Sequence, residues 1–172
     1  MGPRYKAGEP MSDSIAADIQ VGGKILFTDI DKLAHVINQG GLNRQDGDNF
    51  HTVEDIRGYI LNQITEKQPL YLCDWEAANG CFPNLEAWVR QHGMCYRRHS
   101  DAKYEYNAEI EAFIPDKFGD EIISIPSNQD GDILLNPRHL RCCLAEGKTL
   151  QQVVHEYEAI EADVPPIELK EK

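Results

Sequence analysis

The chain has 172 residues and a mass of 19.5 kDa, which is the size of one ordinary domain. Its 29 acidic residues against 17 Lys and Arg give a formal net charge of −12, which repels phosphate backbones and disfavours general nucleic-acid binding. A mean hydropathy of −0.50 and the lack of any apolar run near ~18 residues exclude a membrane-spanning helix. Residues 1–10 hold no apolar segment typical of a secretion signal, so we expect a cytoplasmic protein.

The termini of the sequence predict one domain with short extensions. Two Gly and two Pro lie in residues 1–10, and Pro165 with Pro166 ends any helix before them. We therefore expect a flexible N-terminal segment over residues 1–19, a single α+β domain over residues 20–163 and a C-terminal tail over residues 164–172.

Two helices are predicted in the first part of the domain. Thr28 is a typical N-cap residue for the first helix, which ends at Gly40. Thr52 caps the second helix, and Pro69 lies beyond its end. Apolar residues recur in both at the helical spacing of three and four residues: Ile30, Leu33, Ala34 and Ile37 in the first, and Val53, Ile56, Ile60 and Ile64 in the second.

The middle of the chain predicts a strand, a short helix and further strands. Residues 70–73 and 94–98 form strands around a helix capped by Asn84, a connection long enough for a right-handed parallel crossover. Residues 103–114 alternate between apolar and polar side chains, with Tyr106 and Ile110 inward, as in a half-buried strand. Residues 121–125 and 132–135 are predicted strands around the turn dipeptide Asp130-Gly131.

Two more helices are predicted at the end of the domain. Asn136 before Pro137 is a strong start signal, and Thr149 with Gln152 forms a capping box. Their predicted inward stripes are Leu140, Cys143 and Leu144 in the first, and Leu150, Val153, Val154, Tyr157 and Ile160 in the second. The full order is ααβαββββαα, and the expected fold class is α+β, with a mixed, mainly antiparallel sheet of about five strands and helices on one face.

The cysteines are predicted to be reduced and structural. Their number is odd, nothing marks the chain as secreted, and none has the CxxC spacing of a zinc knuckle. We therefore expect no metal, no cofactor and no catalytic residue, while a small enzyme with a Cys/His or metal site stays open as an alternative. The five are Cys73, Cys81, Cys95, Cys142 and Cys143.

An acidic row is predicted on the strand over residues 103–114, where Glu105, Glu109 and Glu111 share one face. At about 3.4 Å per residue, Glu105 and Glu109 stand roughly 14 Å apart and Glu111 about 7 Å further on, a spacing similar to that of phosphates along a nucleic-acid strand. We expect this row to bind a basic partner; a solvated sheet face is the alternative. Residues 101–172, with 16 acids and 7 bases, carry three quarters of the net charge.

A basic group of four residues lies beside three tyrosines in this acidic chain: Arg97, Arg98, His99 and Lys103. Arg and Tyr are favoured at hot spots of protein interfaces, and they also stack on bases and contact phosphates. We therefore expect partner binding here, with a nucleic-acid or nucleotide-binding module as an alternative function. The competing interpretation is that the tyrosines are buried and that Arg97 or Arg98 pairs with the acidic strand.

Residues 80–116, GCFPNLEAWVRQHGMCYRRHSDAKYEYNAEIEAFIPD, resemble uncharacterised small proteins of phages, plasmids and integrated elements. The resemblance lies in a short LE-containing helix, an HG pair, the RHSDAKYEY core and an acidic strand. It implies a mobile-element origin and a cytoplasmic location, and it implies no catalytic residue. We expect a non-enzymatic acidic accessory protein that binds a macromolecular partner; blocking a basic nucleic-acid-binding surface of a host protein is one mode of action that its charge would allow.

Overall fold

The computed structural model describes residues 13–46, 48–103, 107–161 and 163–171. Within these ranges the chain has the predicted α+β architecture, with six helices and a seven-stranded sheet. The strands are β1 (Ser14–Ile25), β2 (Asn43–Arg44), β3 (Leu70–Ala78), β4 (Cys95–Ser100), β5 (Glu109–Phe113), β6 (Ile122–Pro126) and β7 (Ile167–Leu169). The helices are α1 (Ile30–Gln39), α2 (Val53–Glu66), α3 (Pro83–Gln91), α4 (Pro115–Phe118), α5 (Pro137–Ala145) and α6 (Leu150–Glu161).

The centre of the sheet is β1. The strand order is β2-β3-β1-β4-β5-β6, all antiparallel, and β7 runs parallel to the end of β1. Because β3 and β4 are both antiparallel to β1, they run in the same direction. The predicted strand–helix–strand unit is therefore present, with β1 inserted between its two strands.

The position of β1 corrects the expected start of the domain. A strand comes before the first helix, and residues 14–19 of the expected flexible segment lie in the sheet, while residues 1–12 are outside the described ranges. Ile15, Ile19 and Val21 alternate with polar residues and are buried. The next residue, Gly22, has to be a glycine, because a Cβ there would lie 1.7 Å from the carbonyl oxygen of Pro165.

The last strand corrects the expected C-terminal tail. Ile167 is fully buried, and its N–H donates to the carbonyl oxygen of Gln68 at 3.1 Å. The N–H of Lys170 donates to the carbonyl oxygen of Ile25 at 2.8 Å. The chain after the two prolines therefore completes the sheet. β7 pairs with the final residues of β1, which β3 and β4 leave unpaired.

Helices cover both faces of the sheet, which corrects the expected single covered face. On one face, Ile19, Leu72 and Tyr96 pack against α1, α2 and α3. On the other face, Ile110 and Ile125 pack against Ile160 and other residues of α6. The two faces differ in extent, because α6 covers β5 and β6 whereas α1–α3 cover β3, β1 and β4.

Three of the five predicted helix caps are confirmed, those of Thr52, Asn136 and Thr149, whereas Thr28 and Asn84 do not cap their helices. Thr52 accepts from the N–H of Asp55 at 3.1 Å and Asp55 accepts from the N–H of Thr52 at 2.9 Å, which closes a capping box. Asn136 caps α5, and Thr149 exchanges bonds with Gln152 before α6.

Three local predictions differ from the structure. A 3-10 turn over Phe27–Asp29 leads into α1, and α3 begins one residue before Asn84. Residues 132–135 form no strand; Ile133 alone pairs, with Ser127. The turn at Asp130-Gly131 therefore closes a small loop rather than a regular hairpin.

The alternating segment over residues 103–114 gives β5, which is shorter than predicted. Ile110 is 1% exposed, as its place in the alternation predicted. Residues 104–106 lie outside the described ranges, and so does the prediction for Tyr106.

We expect Ile110→Ala to lower the free energy of unfolding by about 2–4 kcal/mol, because truncating a large buried side chain leaves a cavity. Urea denaturation measures the loss. Ile122→Ala is the control, since Ile122 is 47% exposed on the neighbouring strand and should cost less than about 1 kcal/mol. A loss below about half a kcal/mol for Ile110→Ala would contradict the assigned face.

Candidate functional site

The alternation of β4 separates the predicted basic group. Arg98 lies opposite Ile19 and Glu111, on the face covered by α1–α3. Arg97 and His99 lie on the other face, where their register partners on β1 are Gln20 and Asp18. Neighbouring residues of a strand point to opposite faces, so the arginines cannot act on one surface.

Arg98 is the centre of a buried ion cluster. It is 1% exposed, and its guanidinium lies 3.1 Å from Glu86, 3.1 Å from Glu109 and 3.0 Å from Glu111. The carboxylate of Glu86 also accepts from the N–H of Phe82 at 3.0 Å. One side chain of β4 thereby joins β5 to the start of α3.

Tyr96 extends this cluster. Its hydroxyl donates to Glu111 at 2.7 Å and accepts from Arg90 at 3.2 Å. Burial, together with the adjacent carboxylate of Glu111, raises the pKa of Tyr96 above its ordinary value. Tyr96 is therefore a neutral donor that satisfies the second acceptor of Glu111.

The predicted acidic row is accordingly not a free surface. Glu109 and Glu111 are both bound to Arg98, and the side chain of Glu111 is only 19% exposed. Glu109 also accepts from the hydroxyl of Ser124 at 3.1 Å. Glu105 lies outside the described residues. The competing interpretation, in which an arginine pairs with the acidic strand, describes Arg98.

His99 lies on the opposite face beside three acceptors. Its Nδ1 is 3.5 Å from Asp18 and 3.9 Å from Asp101, and its Nε2 is 3.2 Å from the carbonyl oxygen of Asn128. The hydrogen bond that His99 donates to Asp18 raises the pKa of His99 despite partial burial, because only the imidazolium donates from both nitrogens. His99 thereby attaches the loop over residues 128–132 to β4.

We expect the contribution of His99 to stability to fall as pH rises. Its pKa is raised on folding, so the stabilisation is fully present below the ordinary value of 6.5 and is lost as pH rises through the folded value. The difference in unfolding free energy between the wild type and His99→Gln, measured from about pH 5.5 to about pH 8.5, should therefore shrink. A difference that does not change with pH would contradict this arrangement.

Lys103, the last member of the basic group, donates to the carbonyl oxygen of Ser14. It thus holds the start of β1. The four basic residues therefore occupy three different places: a buried cluster, the opposite sheet face and the edge of β1.

Four of the five thiols lack the features of a catalytic nucleophile. Burial raises the pKa of Cys95 to about 11 and raises the pKa values of Cys73, Cys81 and Cys143 above the ordinary range. Cys143 lies 3.5 Å from Nε2 of His139, but it is 3% exposed. Because the thiolate is the reactive form, this environment disfavours nucleophilic chemistry. Within the described ranges, no three His, Cys, Asp or Glu side chains are placed to share a metal ion.

Large apolar side chains are exposed in α5 and α6 and just before α5, where the sequence predicted inward stripes. Leu144, Leu150 and Val154 are 53%, 65% and 46% exposed, and Leu135, just before α5, is 69% exposed. We call these four residues the C-terminal apolar surface. Cys143 is the buried residue of α5. In the predicted stripe of this helix, Leu140 is partly buried and Leu144 is exposed.

An acidic turn adjoins this surface. The ring of Phe118 lies 5.1 Å from that of His155, which places the turn around α4 beside α6. Asp116, Asp120 and Glu121 are all exposed in this turn. Exposed acidic side chains therefore occur in a turn that contacts α6, the helix that carries Leu150 and Val154.

Comparison with protein-family models, curated proteins and solved structures finds no match to this chain. Among the residues that the structure describes, no helix has the length and apolar character needed to cross a bilayer.

Proposed function

We propose that this chain is an accessory protein that binds a partner protein through the C-terminal apolar surface. The observation that carries the proposal is the exposure of Leu135, Leu144, Leu150 and Val154, three of which belong to helical stripes that sequence periodicity predicts to be buried. An amphipathic helix in a folded domain normally packs its apolar stripe against something. In this proposal, the partner protein packs against the exposed part of these apolar stripes.

The energetics of α5 favour this assignment. It has nine residues and one buried side chain, Cys143. Isolated helices of this length are marginal in water, because nucleation is costly and tertiary packing supplies most helical stability. A partner that covers Leu144 and Leu150 would bury apolar area and stabilise α5 at the same time. Apolar residues surrounded by polar ones are also the usual composition of an interface core.

The charge of the neighbouring turn indicates the kind of partner. Asp116, Asp120 and Glu121 would lie at the rim of an interface centred on α5 and α6. Rim charges steer association and select partners of opposite sign. A basic protein fits, including one whose basic surface otherwise binds nucleic acid, and a mobile-element origin is part of the same proposal.

This proposal assigns partner binding to different residues from those that the sequence predicts. Glu109 and Glu111 hold Arg98, so their role is structural, and the acidic contact moves to the turn around α4. A nucleic-acid module built on Arg97 and Arg98 is the weaker alternative, because the two arginines lie on opposite faces of β4.

The experiment compares two matched double variants. Leu144→Asp with Leu150→Asp alters the proposed surface, and Phe27→Asp with Trp75→Asp makes the same kind of change at side chains that are 60% and 68% exposed elsewhere. Each tagged protein is used to purify its partner from the source cells. We expect the first variant to recover at least about tenfold less partner than the wild type, the effect of losing interface hot spots, and the second to recover the wild-type amount.

Equal recovery by both double variants would overturn the assignment of this surface. Recovery of nucleic acid instead of protein, abolished by Arg97→Gln, would replace it with the nucleic-acid alternative. Circular dichroism and melting temperature of each variant show that a loss of recovery is not a loss of folding.

A further inference from the structure

A small polar cavity lies on the sheet face that carries Arg97 and His99, and none of the four residues of the C-terminal apolar surface lines it. Its volume is about 190 Å³. The floor is formed by β1 and β4, and the loop over residues 128–132 closes one side. The polar and charged residues that line it are Asp18, Gln20, Gln45, Arg97, His99 and Asp130.

Arg97 is the unusual member of this cavity. Its side chain is half-buried, yet it makes no hydrogen bond or ion pair anywhere in the described part of the chain. Arg57 and Arg98, by contrast, each bind carboxylates. In a chain with a net charge of −12, a half-buried guanidinium without an acidic partner is unexpected. Its five N–H donors are available to a ligand.

The acid of β1 that lines the cavity already has a partner in His99. Asp18 lies 3.5 Å from Nδ1 of His99, and the second nitrogen of His99 donates to the loop carbonyl of Asn128. This pair keeps Asp18 from competing for Arg97. Gln20 is the register partner of Arg97 on β1 and adds an amide beside the guanidinium, and Gln45 adds a second.

We propose that this cavity is a binding site for a small oxyanion, a carboxylate or phosphate group held by Arg97. A guanidinium forms paired hydrogen bonds with the two oxygens of such a group, and the amides of Gln20 and Gln45 supply further donors. The volume lies below the range of about 300–1,000 Å³ typical of drug-sized ligands, so the ligand is a small acid rather than a nucleotide. This site is independent of the proposed partner surface.

The loop over residues 128–132 gives the site a preformed side wall. The side-chain oxygen of Asn128 accepts from the N–H groups of Asp130 and Asp132 at 3.0 and 2.8 Å. The carbonyl of Asn128 is in turn held by His99. The same wall carries Asp130, whose carboxylate opposes an anion and limits its affinity.

The test is isothermal titration of the full chain with two probes, inorganic phosphate and succinate, at low ionic strength. We expect one-to-one binding of at least one probe with a Kd of about 1 mM or tighter. Arg97→Gln should weaken it at least about tenfold, the effect of losing a charged hydrogen-bonding partner. Asp130→Asn should strengthen it, because a repelling charge is removed, and Arg57→Gln, which removes a paired charge on α2, should leave it unchanged.

The two probes separate a phosphate site from a carboxylate site. Absence of binding by both probes at about 50 mM would overturn the proposal, since such weak affinity is below that of a specific site. Equal affinities of the wild type and Arg97→Gln would also overturn it. The side chain of Arg97 makes no hydrogen bond or ion pair within the described residues, so Arg97→Gln should melt at the wild-type temperature. Partner recovery by the same variant should be unaffected.

Discussion

Arg98→Met should lower the free energy of unfolding by about 3–5 kcal/mol, because removing one member of a buried ion cluster leaves its partners buried and uncompensated. The uncompensated charge should be most costly at Glu86, since its side chain is 9% exposed. The side chain of Glu109 is 43% exposed and can be hydrated instead. The loss should appear in urea denaturation as a lower midpoint. It should also release the start of α3, where Glu86 holds the N–H of Phe82.

Arg97→Met is the matched control for this change. The same substitution one residue earlier in β4 removes no bond and should alter stability by about 0.5 kcal/mol at most. Glu86→Leu introduced together with Arg98→Met should recover part of the loss, because the most deeply buried uncompensated carboxylate is gone. Equal destabilisation by the two Arg→Met variants would show that Arg98 is not the centre of the cluster.

Deletion of residues 163–172 should destabilise the domain by about 4 kcal/mol or more, the sum expected for losing two buried aliphatic side chains. Val164 and Ile167 are 4% and 0% exposed. The deletion also uncovers the end of β1 over Gly23–Ile25, which pairs with β7. An exposed strand edge of this kind favours aggregation, so light scattering during thermal unfolding should increase.

Deletion of residues 171–172 is the control for the longer truncation. It keeps β7 and the hydrogen bond from Lys170 to Ile25, so its melting temperature should equal that of the full chain. If both truncated proteins have the melting temperature of the full chain, β7 does not contribute to the fold, and residues 164–172 are a tail as the sequence predicts.

Local signals predicted the elements whose determinants are close together in sequence. Thr52, Asn136 and Thr149 cap their helices because each bond reaches two or three residues ahead. The inward position of Ile110 follows from the alternation of its own strand. The fold class follows from the same signals, since it depends on the kinds of elements rather than on how they pair.

The two strands at the ends of the chain depend on distant partners. β1 contains Ala, Gly and polar residues, which dilute its alternation, and it is stable because β3 and β4 pair with it on both sides. β7 has three residues and forms only because the end of β1 and the carbonyl of Gln68 are available. No local pattern contains that information.

The candidate site was only partly predictable for a similar reason. The twofold period of a strand implies that Arg97 and Arg98 point to opposite faces, and that inference was available from the sequence. Which of the two arginines is buried could not be inferred from the sequence, because it depends on Glu86 in α3 approaching β4. Asp18 was missed because residues 1–19 were expected to form a flexible segment, and Gln20 was missed because no strand was predicted around it.

Helical periodicity likewise predicted the apolar stripes of α5 and α6 but not what covers them. Val153 and Ile160 are buried by the chain itself, whereas Leu144 and Leu150 are not. The spacing of apolar residues is the same in both cases. A stripe that faces the domain core and a stripe that faces a partner protein therefore look alike in a sequence.

Amide hydrogen exchange, measured on the free chain and on its copurified complex, tests the proposed partner surface most directly. Sparse packing predicts fast exchange over Pro137–Ala145 in the free protein. In the complex, exchange over this helix and over Leu150–Glu161 should slow by at least about tenfold, while that of Val53–Glu66, on the far side of the sheet, stays unchanged. Unchanged exchange in both C-terminal helices, with new protection elsewhere, would contradict the account.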